Sequence, residues 1–392
     1  MNMPRIPAEE YAKRRAKAAK IAAERGIDVL LFTSTESDFA DVRYFTGYYT
    51  FFERASVAIA ANGESALIVG PEGPATAQAT SQLQNIFSLH SHRESSGTDY
   101  PELNVDSLKT VFNFLGIHGK KIRIGVGNYL YTSVEIYLDL LKEYPDAEII
   151  PAADIVIGLR KIKSENEICC LKAAYGIAEK AVGKVLEEIR PGMSECNVAG
   201  IALRYIYEFG AEEEGMPQMV LSDDATKLPC ARPKTHRIIQ RDSFLTLGIA
   251  ARVDGYSASI GIPVSMGKFT PEQLRHVEFG RNLHEYVKSQ LCAGKRADEV
   301  AKRSIEYYEK NGFSDTYLYG PLHGVGLIEA EPPAVESNSD YILEENLCYQ
   351  VDNFVFTKDF GLRWEEGICI TNDGYELLNT IPICHKLYEL GY

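Results

Sequence analysis

Two stretches of the chain repeat one pattern. Residues 191–210 (PGMSECNVAGIALRYIYEFG) and 293–312 (AGKRADEVAKRSIEYYEKNG) carry glycines at matching ends, Val-Ala at the same offset and tyrosines in the last turn. Each reads as an amphipathic helix entered through a glycine turn and followed by strand-like segments. A helix-and-strand unit leaves one sheet face bare, so two related units are expected to close face to face around one central site. Two amphipathic helices can also match by chance, and the repeat alone does not decide the fold. The first unit holds a clear hairpin, LGIAARVDGYSASIGIPV at 247–264, with two apolar arms around an Asp254-Gly255 turn. Hairpins of this shape often carry metal-binding acids inward; here Gly248 and Ser259 take those places.

The chain before this region has a different rhythm. An amphipathic helix is expected over 8–25, ended by Gly26, then a buried strand at 27–33. Strands at 56–61, 66–70 and 121–126 and a helix at 133–144 complete an α/β domain over residues 1–155. Beyond Arg160, Ser164 and Glu167 have capping-box spacing and open a long helix that Pro191-Gly192 stops. The second domain is expected over 160–392, because 392 residues exceed what one core usually serves.

Composition narrows the function. A net charge of -14 argues against a nucleic-acid or anionic-membrane binder, which needs a basic surface, and favours a small-molecule or peptide substrate. The N-terminus lacks the apolar core of a signal peptide and no run of about 18 apolar residues occurs, so a cytoplasmic protein is expected. The 8 cysteines include no CxxC pair and read as reduced fillers.

Four segments could carry chemistry. His323 lies among Gly320, Gly324 and Gly326, which allow close backbone approach; the plainer reading is a hydrogen-bonded core histidine. In FGLRWEEGICIT (360–371) strand alternation puts Glu365, not Glu366, on the side of Arg363, unless the three form an exposed ion-pair edge. Cys230, between prolines and near Arg232 and His236, is either a reactive thiolate or a loop filler. Asp352 interrupts an apolar strand, where a carboxylate must be paired or hydrogen-bonded.

LRKIKSENEI, LPCARP, DGYSASI, PLHGVGLIEAEPP and LRWEEGICITNDG, in that order, resemble the pita-bread superfamily of creatinase, prolidase, aminopeptidase P and methionine aminopeptidase. The resemblance spans essentially the whole chain. It implies an α+β fold, with a pita-bread C-terminal domain of two related αβ halves behind a smaller α/β N-terminal domain. Metal-dependent members bind two divalent ions through Asp, Asp, His, Glu and Glu; the matching positions here are Gly248, Ser259, His323, Asp352 and Glu365. Two ions about 3.5–4 Å apart need bridging carboxylates. Too few remain, so no cofactor is expected. The alternative is one divalent ion, Mn, Zn or Co, on His323, Asp352 and Glu365. Two further histidines usual in the peptidases are replaced by Cys230 and Ala330, leaving Glu331.

Creatinase, which has lost its metal ligands, is therefore the branch closest in character. TFFERASVAI (50–59) resembles its loop whose Phe and Arg hold a substrate carboxylate in the partner subunit's site, which implies Phe52, Arg54 and a homodimer. Creatine itself is not expected, since the acid-base histidine corresponds to Cys230. The function this implies is hydrolysis of a C–N bond in a small carboxylate-bearing molecule. Glu365, or Glu366 if the register shifts, would activate water, His323 would act as acid or base, and Cys230 would touch or attack the substrate. Phe52, Arg54, Asp352, Arg363 and Glu331 would bind it. The alternatives are an Xaa-Pro dipeptidase or aminopeptidase with a reduced metal site, acting on dipeptides, and an inactive binding homologue.

Overall fold

The computed structural model describes residues 3–119 and 121–392. The chain divides into two units, Ile6–Arg160 and Lys161–Tyr392, the latter joined by residues up to Arg5.

In the first unit, helix α1 (Ala8–Glu24) precedes strand β1 (Val29–Ser34), helix α2 (Ala40–Thr46) and the strands β2 (Ala55–Ala60) and β3 (Ser65–Val69). Then follow α3 (Pro74–Thr80), β4 (Ile86–Ser88), α4 (Leu108–Phe114), β5 (Arg123–Gly127), α5 (Val134–Glu143), β6 (Glu148–Pro151) and α6 (Ala153–Lys161). The strands form one mixed sheet in the order β4-β3-β2-β1-β5-β6. The central strands β1, β2 and β3 are buried along their whole length, which is why they read as continuous apolar runs rather than alternating ones. Leu108, Val111 and Phe112 of α4 and Ile136 and Leu140 of α5 close one core against that sheet.

The second unit opens with α7 (Glu165–Glu188), started by the Ser164/Glu167 capping box, and α8 (Glu195–Glu208). Strand β7 (Met219–Ser222) leads to the hairpin β8 (Phe244–Val253) and β9 (Tyr256–Ser265). Asp254 and Gly255 both have positive φ, as the tight hairpin turn demands. The pattern then recurs: α9 (Pro271–Ser289), α10 (Ala297–Lys310), the short β10 (Leu322–Gly324) and β11 (Glu331–Val335), and a second long hairpin, β12 (Cys348–Phe356) and β13 (Gly361–Ile370). Strand β14 (Tyr375–Leu377) pairs with β13. α8 and α10 begin at the same offset in the two sequence repeats and both run 14 residues.

The sheet order β11-β10-β12-β13-β9-β8-β7 reads outward from a central seam between β13 and β9: a hairpin on each side, then β10 and β11 beyond one and β7 beyond the other. The two related αβ halves thus share one curved sheet, the pita-bread arrangement. α7 packs against β8 and β9, and α9 against β12 and β13. The Trp364 ring lies directly over Gly280 of α9, where an added Cβ would come within 2.1 Å of it. No helix among the described residues is long and apolar enough to cross a membrane.

Candidate active site

Ladder register decides which side chains meet. Asp352 and Glu365 are opposed across β12 and β13, Glu365 is opposed to Gly261 across the seam, and His323 is opposed to Gln350. Directly opposed residues share a face and neighbours alternate. One face therefore collects His323, Asp352, Arg363, Glu365 and Ser259, while Trp364 and Glu366 point the other way.

Arg363 holds the first group together. Its guanidinium lies 3.3 Å from Glu365 Oε1 and 3.8 Å from Asp352 Oδ1, and it donates to Tyr319 Oη at 2.7 Å and to the Pro229 carbonyl at 3.0 Å. Glu365 accepts from Ser259 Oγ through its other oxygen at 2.6 Å. Burial pushes the Glu365 carboxyl up to about 7, since the downward pull of Arg363 is countered by Asp352 and Glu329. His323 binds the Gly324 carbonyl through Nδ1 at 3.0 Å, so its Nε2 faces the pocket. Burial works against the charged ring, but Glu329 and Asp352 outweigh it and hold the His323 pKa above its ordinary value. His323, Tyr319 and Asp352 line a cavity of about 110 Å3.

Glu329 and Tyr319 escape the sequence reading. Glu329 Oε1 lies 3.8 Å from His323 Nε2, and burial raises its carboxyl above the ordinary range against the downward pull of that ring. The signal lies in the HGVGLIEAE segment itself, two residues before Glu331, the residue expected to bind substrate. Glu331 instead turns away to a buried ion pair with Lys163 at 2.8 Å. The nearby glycines serve this turn: a Cβ on Gly324 would meet the Glu331 carbonyl at 2.5 Å, and one on Gly326 the Glu331 carboxylate at 2.2 Å. They make room for the protein's own backbone and carboxylate.

Glu366, on the opposite face, pairs with Lys288 at 2.7 Å and accepts from Asn379 at 2.9 Å. Both Glu331 and Glu366 are thus spent on structure, not on the pocket. Cys230 is solvent-exposed, one residue beyond the Pro229 carbonyl that Arg363 engages. Phe52 and Arg54 belong to the first unit, where Phe52 is exposed with φ 61° and Arg54 donates to the Arg93 carbonyl at 3.1 Å.

A pair of metal ions does not fit these residues. Gly248 and Ser259 supply no carboxylate, and both Glu365 oxygens are engaged by Ser259 and Arg363. Among the described residues, the three-ligand group whose donor atoms all lie within 4.8 Å of one another is His284, Glu366 and Cys384. There the Lys288 ammonium already occupies the cation position beside Glu366. His323, Asp352 and Glu365 do not converge that closely. Glu329 Oε1 and Asp352 Oδ1 accept no hydrogen bond from the described residues, yet together with His323 Nε2 they do not all lie within 4.8 Å of one another either.

Comparison with known proteins identifies the family. The chain resembles the peptidase YqhT of Bacillus subtilis, 26% identical over 371 residues that span 93% of this chain and 97% of that one. It is 27% identical to the Xaa-Pro dipeptidase of Pyrococcus furiosus over 64% of this chain and 72% of the relative. The X-Pro aminopeptidase of Thermotoga maritima has the same fold, with a TM-score of 0.82 at 24% identity, covering 95% of this chain and 99% of that one. The creatinase/prolidase N-terminal domain model matches residues 14–162. These matches favour the peptidase alternative over a creatinase-like, metal-free hydrolase. The expectation of no cofactor is likewise corrected, because the model that matches residues 169–372 describes metal-dependent peptidases. On that match over the domain that holds the pocket, the chain is a member of metallopeptidase family M24, a hydrolase of C–N bonds.

Proposed function

We propose that the protein hydrolyses the C–N bond of a dipeptide, of Xaa-Pro type, or of a similarly small carboxylate-bearing amide. The observation that carries this reading is the placement of His323, Asp352, Arg363 and Glu365 on one face of the sheet, with Glu365 fixed from both sides by Ser259 and Arg363. Glu365 accepts a proton from the attacking water, and its near-neutral pKa suits both taking and returning that proton. His323, held in one orientation by the Gly324 carbonyl, donates from Nε2 to the departing nitrogen. Arg363 positions Glu365 and keeps the carboxylates of the pocket compatible with one another.

One divalent ion, Mn, Zn or Co, held by Asp352 and a second carboxylate with His323 Nε2, would polarise the scissile carbonyl when bound, and His323 would then serve as a ligand in place of the proton donor. Phe52 and Arg54 anchor the substrate carboxylate, with Arg54 offering a two-pronged donor. A homodimer fits this assignment. It is also supported by the outward face of α5, where Val134, Tyr137, Leu138 and Leu141 form an exposed apolar stripe that continues to Leu130, 90% exposed.

The test is hydrolysis of an Xaa-Pro dipeptide panel beside simple amides and guanidino acids, before and after chelation and with each metal restored. Cleavage of dipeptides that Glu365→Gln reduces at least about 100-fold is the expected result. Cleavage confined to guanidino acids, or insensitive to Glu365→Gln, contradicts the reading.

A further inference from the structure

Two of the 8 cysteines face each other at the base of the hairpin that carries Asp352 and Glu365. Cys348 of β12 and Cys369 of β13 are directly opposed in the ladder, and both are free thiols. Ile370 N–H donates to the Leu347 carbonyl at 2.8 Å, and the Cys348 carbonyl accepts from Val325 N–H at 3.1 Å, on the side away from β13. Cys348 and Cys369 are therefore a non-hydrogen-bonded pair, where opposed Cα atoms stand only about 4.5 Å apart. That spacing falls within the range a disulfide spans, and opposed side chains leave the sheet on the same face. The ladder itself thus brings the two sulfurs into position for a covalent bond.

Their surroundings make the two thiols unequal. Cys348 is 1% exposed, and burial pushes its pKa well up. Cys369 lies just before the exposed turn at Asn372 and Asp373, opposite Glu376, whose surface ion pair with Lys172 spans 2.7 Å. Hydrogen bonding from the Cys348 thiol, helped by the charges of Lys172 and Lys163, draws Cys369 below the ordinary thiol value against its own burial. An attacking thiol with a resolving partner beside it requires this kind of asymmetry.

We propose that Cys348 and Cys369 form a modification site, a dithiol that hydrogen peroxide converts into a cross-strand disulfide bracing the hairpin of Asp352 and Glu365. The Cys369 thiolate attacks one peroxide oxygen; the O–O bond breaks, and the leaving hydroxide takes up a proton to become water. Cys348 then attacks the sulfur of the resulting sulfenic acid. The S–O bond breaks, the S–S bond forms, and the departing hydroxide leaves as a second water with the Cys348 proton. The two thiols lose two electrons and the peroxide gains them. On their face of the hairpin, only the Gln350 and Gly367 pair separates the brace from Asp352 and Glu365, so its oxidation state sets how freely the hairpin opens at its base. The inference does not rest on the hydrolase reading.

The experiment treats the reduced protein, freed of reductant, with hydrogen peroxide, and then blocks the remaining thiols with iodoacetamide after unfolding. The expected result is the loss of two of the 8 alkylable thiols, with the tryptic peptides of Cys348 and Cys369 joined and released again by dithiothreitol. Cys348→Ala, trapped with dimedone during oxidation, should carry the sulfenic adduct on Cys369. The oxidised parent should melt about 5 °C or more above the reduced parent, a gain that neither Cys348→Ala nor Cys369→Ala shows. The site is overturned if all 8 thiols stay alkylable, if the joined peptides persist in Cys369→Ala, or if Cys369 in Cys348→Ala takes no adduct. It is equally overturned if the oxidised parent melts no higher than the reduced one. The parent's own peptide map and melting curves need no variant, so they decide the proposal even where an alanine variant misfolds.

Discussion

Replacing Arg363 by methionine would leave the buried carboxylates of Asp352 and Glu365 with no fixed cation between them. Breaking a buried charged network from one side costs about 3–5 kcal/mol, so Arg363→Met should lower the thermal midpoint markedly in a melting experiment. Arg363→Lys keeps the charge but cannot reach both Tyr319 and Pro229, and should lose less. His323→Asn should behave differently. It leaves the melting temperature close to that of the parent while kcat drops by about 100-fold or more, since the ring's bond to Gly324 is a minor contact beside the proton transfer proposed for it. At this scale the sequence exposed His323, Asp352, Arg363 and Glu365 through strand alternation and motif order. It hid Glu329 and misdirected attention to Glu331, because β11 begins at Glu331 and turns that side chain to Lys163. A turn outside a regular strand has no period from which a side chain's direction can be read.

Helix α5 is apolar on two faces. Ile136 and Leu140 point into the core, while Val134, 73% exposed, and its neighbours on the outward stripe face solvent. If that stripe is where two copies meet, Val134→Glu with Leu138→Glu should convert the dimer to a monomer, as light scattering after size exclusion would report. An unchanged mass would remove α5 from the interface. Between α9 and β13, Gly280→Ala would press a methyl group into the Trp364 ring. Overpacking of this kind costs about 1–3 kcal/mol, measurable as a shift in the denaturant midpoint. Neither feature could be read along the chain. A periodic apolar stripe looks the same whether its partner is a sheet, a second copy or water, and a glycine inside a helix does not name the ring packed on it.

At the scale of the whole molecule, Glu366 ties stability to acid pH. Burial alone would raise its carboxyl, but hydrogen bonds and charge from His284 and Lys288 hold it down to about 2, with Lys288 the nearer partner at 2.7 Å. Its folded value lies below its unfolded one, so the stabilisation is complete above the ordinary 4.5 and is lost as pH falls from there toward 2. The amount is on the order of 3 kcal/mol. Glu366→Gln should therefore flatten the dependence of stability on pH between about 4.5 and 2, as followed by urea unfolding at each pH. The sequence by itself determined the two related αβ halves, the long hairpins with their turn at Asp254-Gly255, and the loss of two acids at Gly248 and Ser259, because period, turn chemistry and motif order are local. Only the tertiary structure decided that Arg363 lies between Asp352 and Glu365, that Glu366 and Glu331 form buried ion pairs, and that Glu329 stands 3.8 Å from His323. Those outcomes depend on ladder register across the seam and on which buried charges meet, and such meetings are set by side chains far apart in the chain competing for one low-dielectric space.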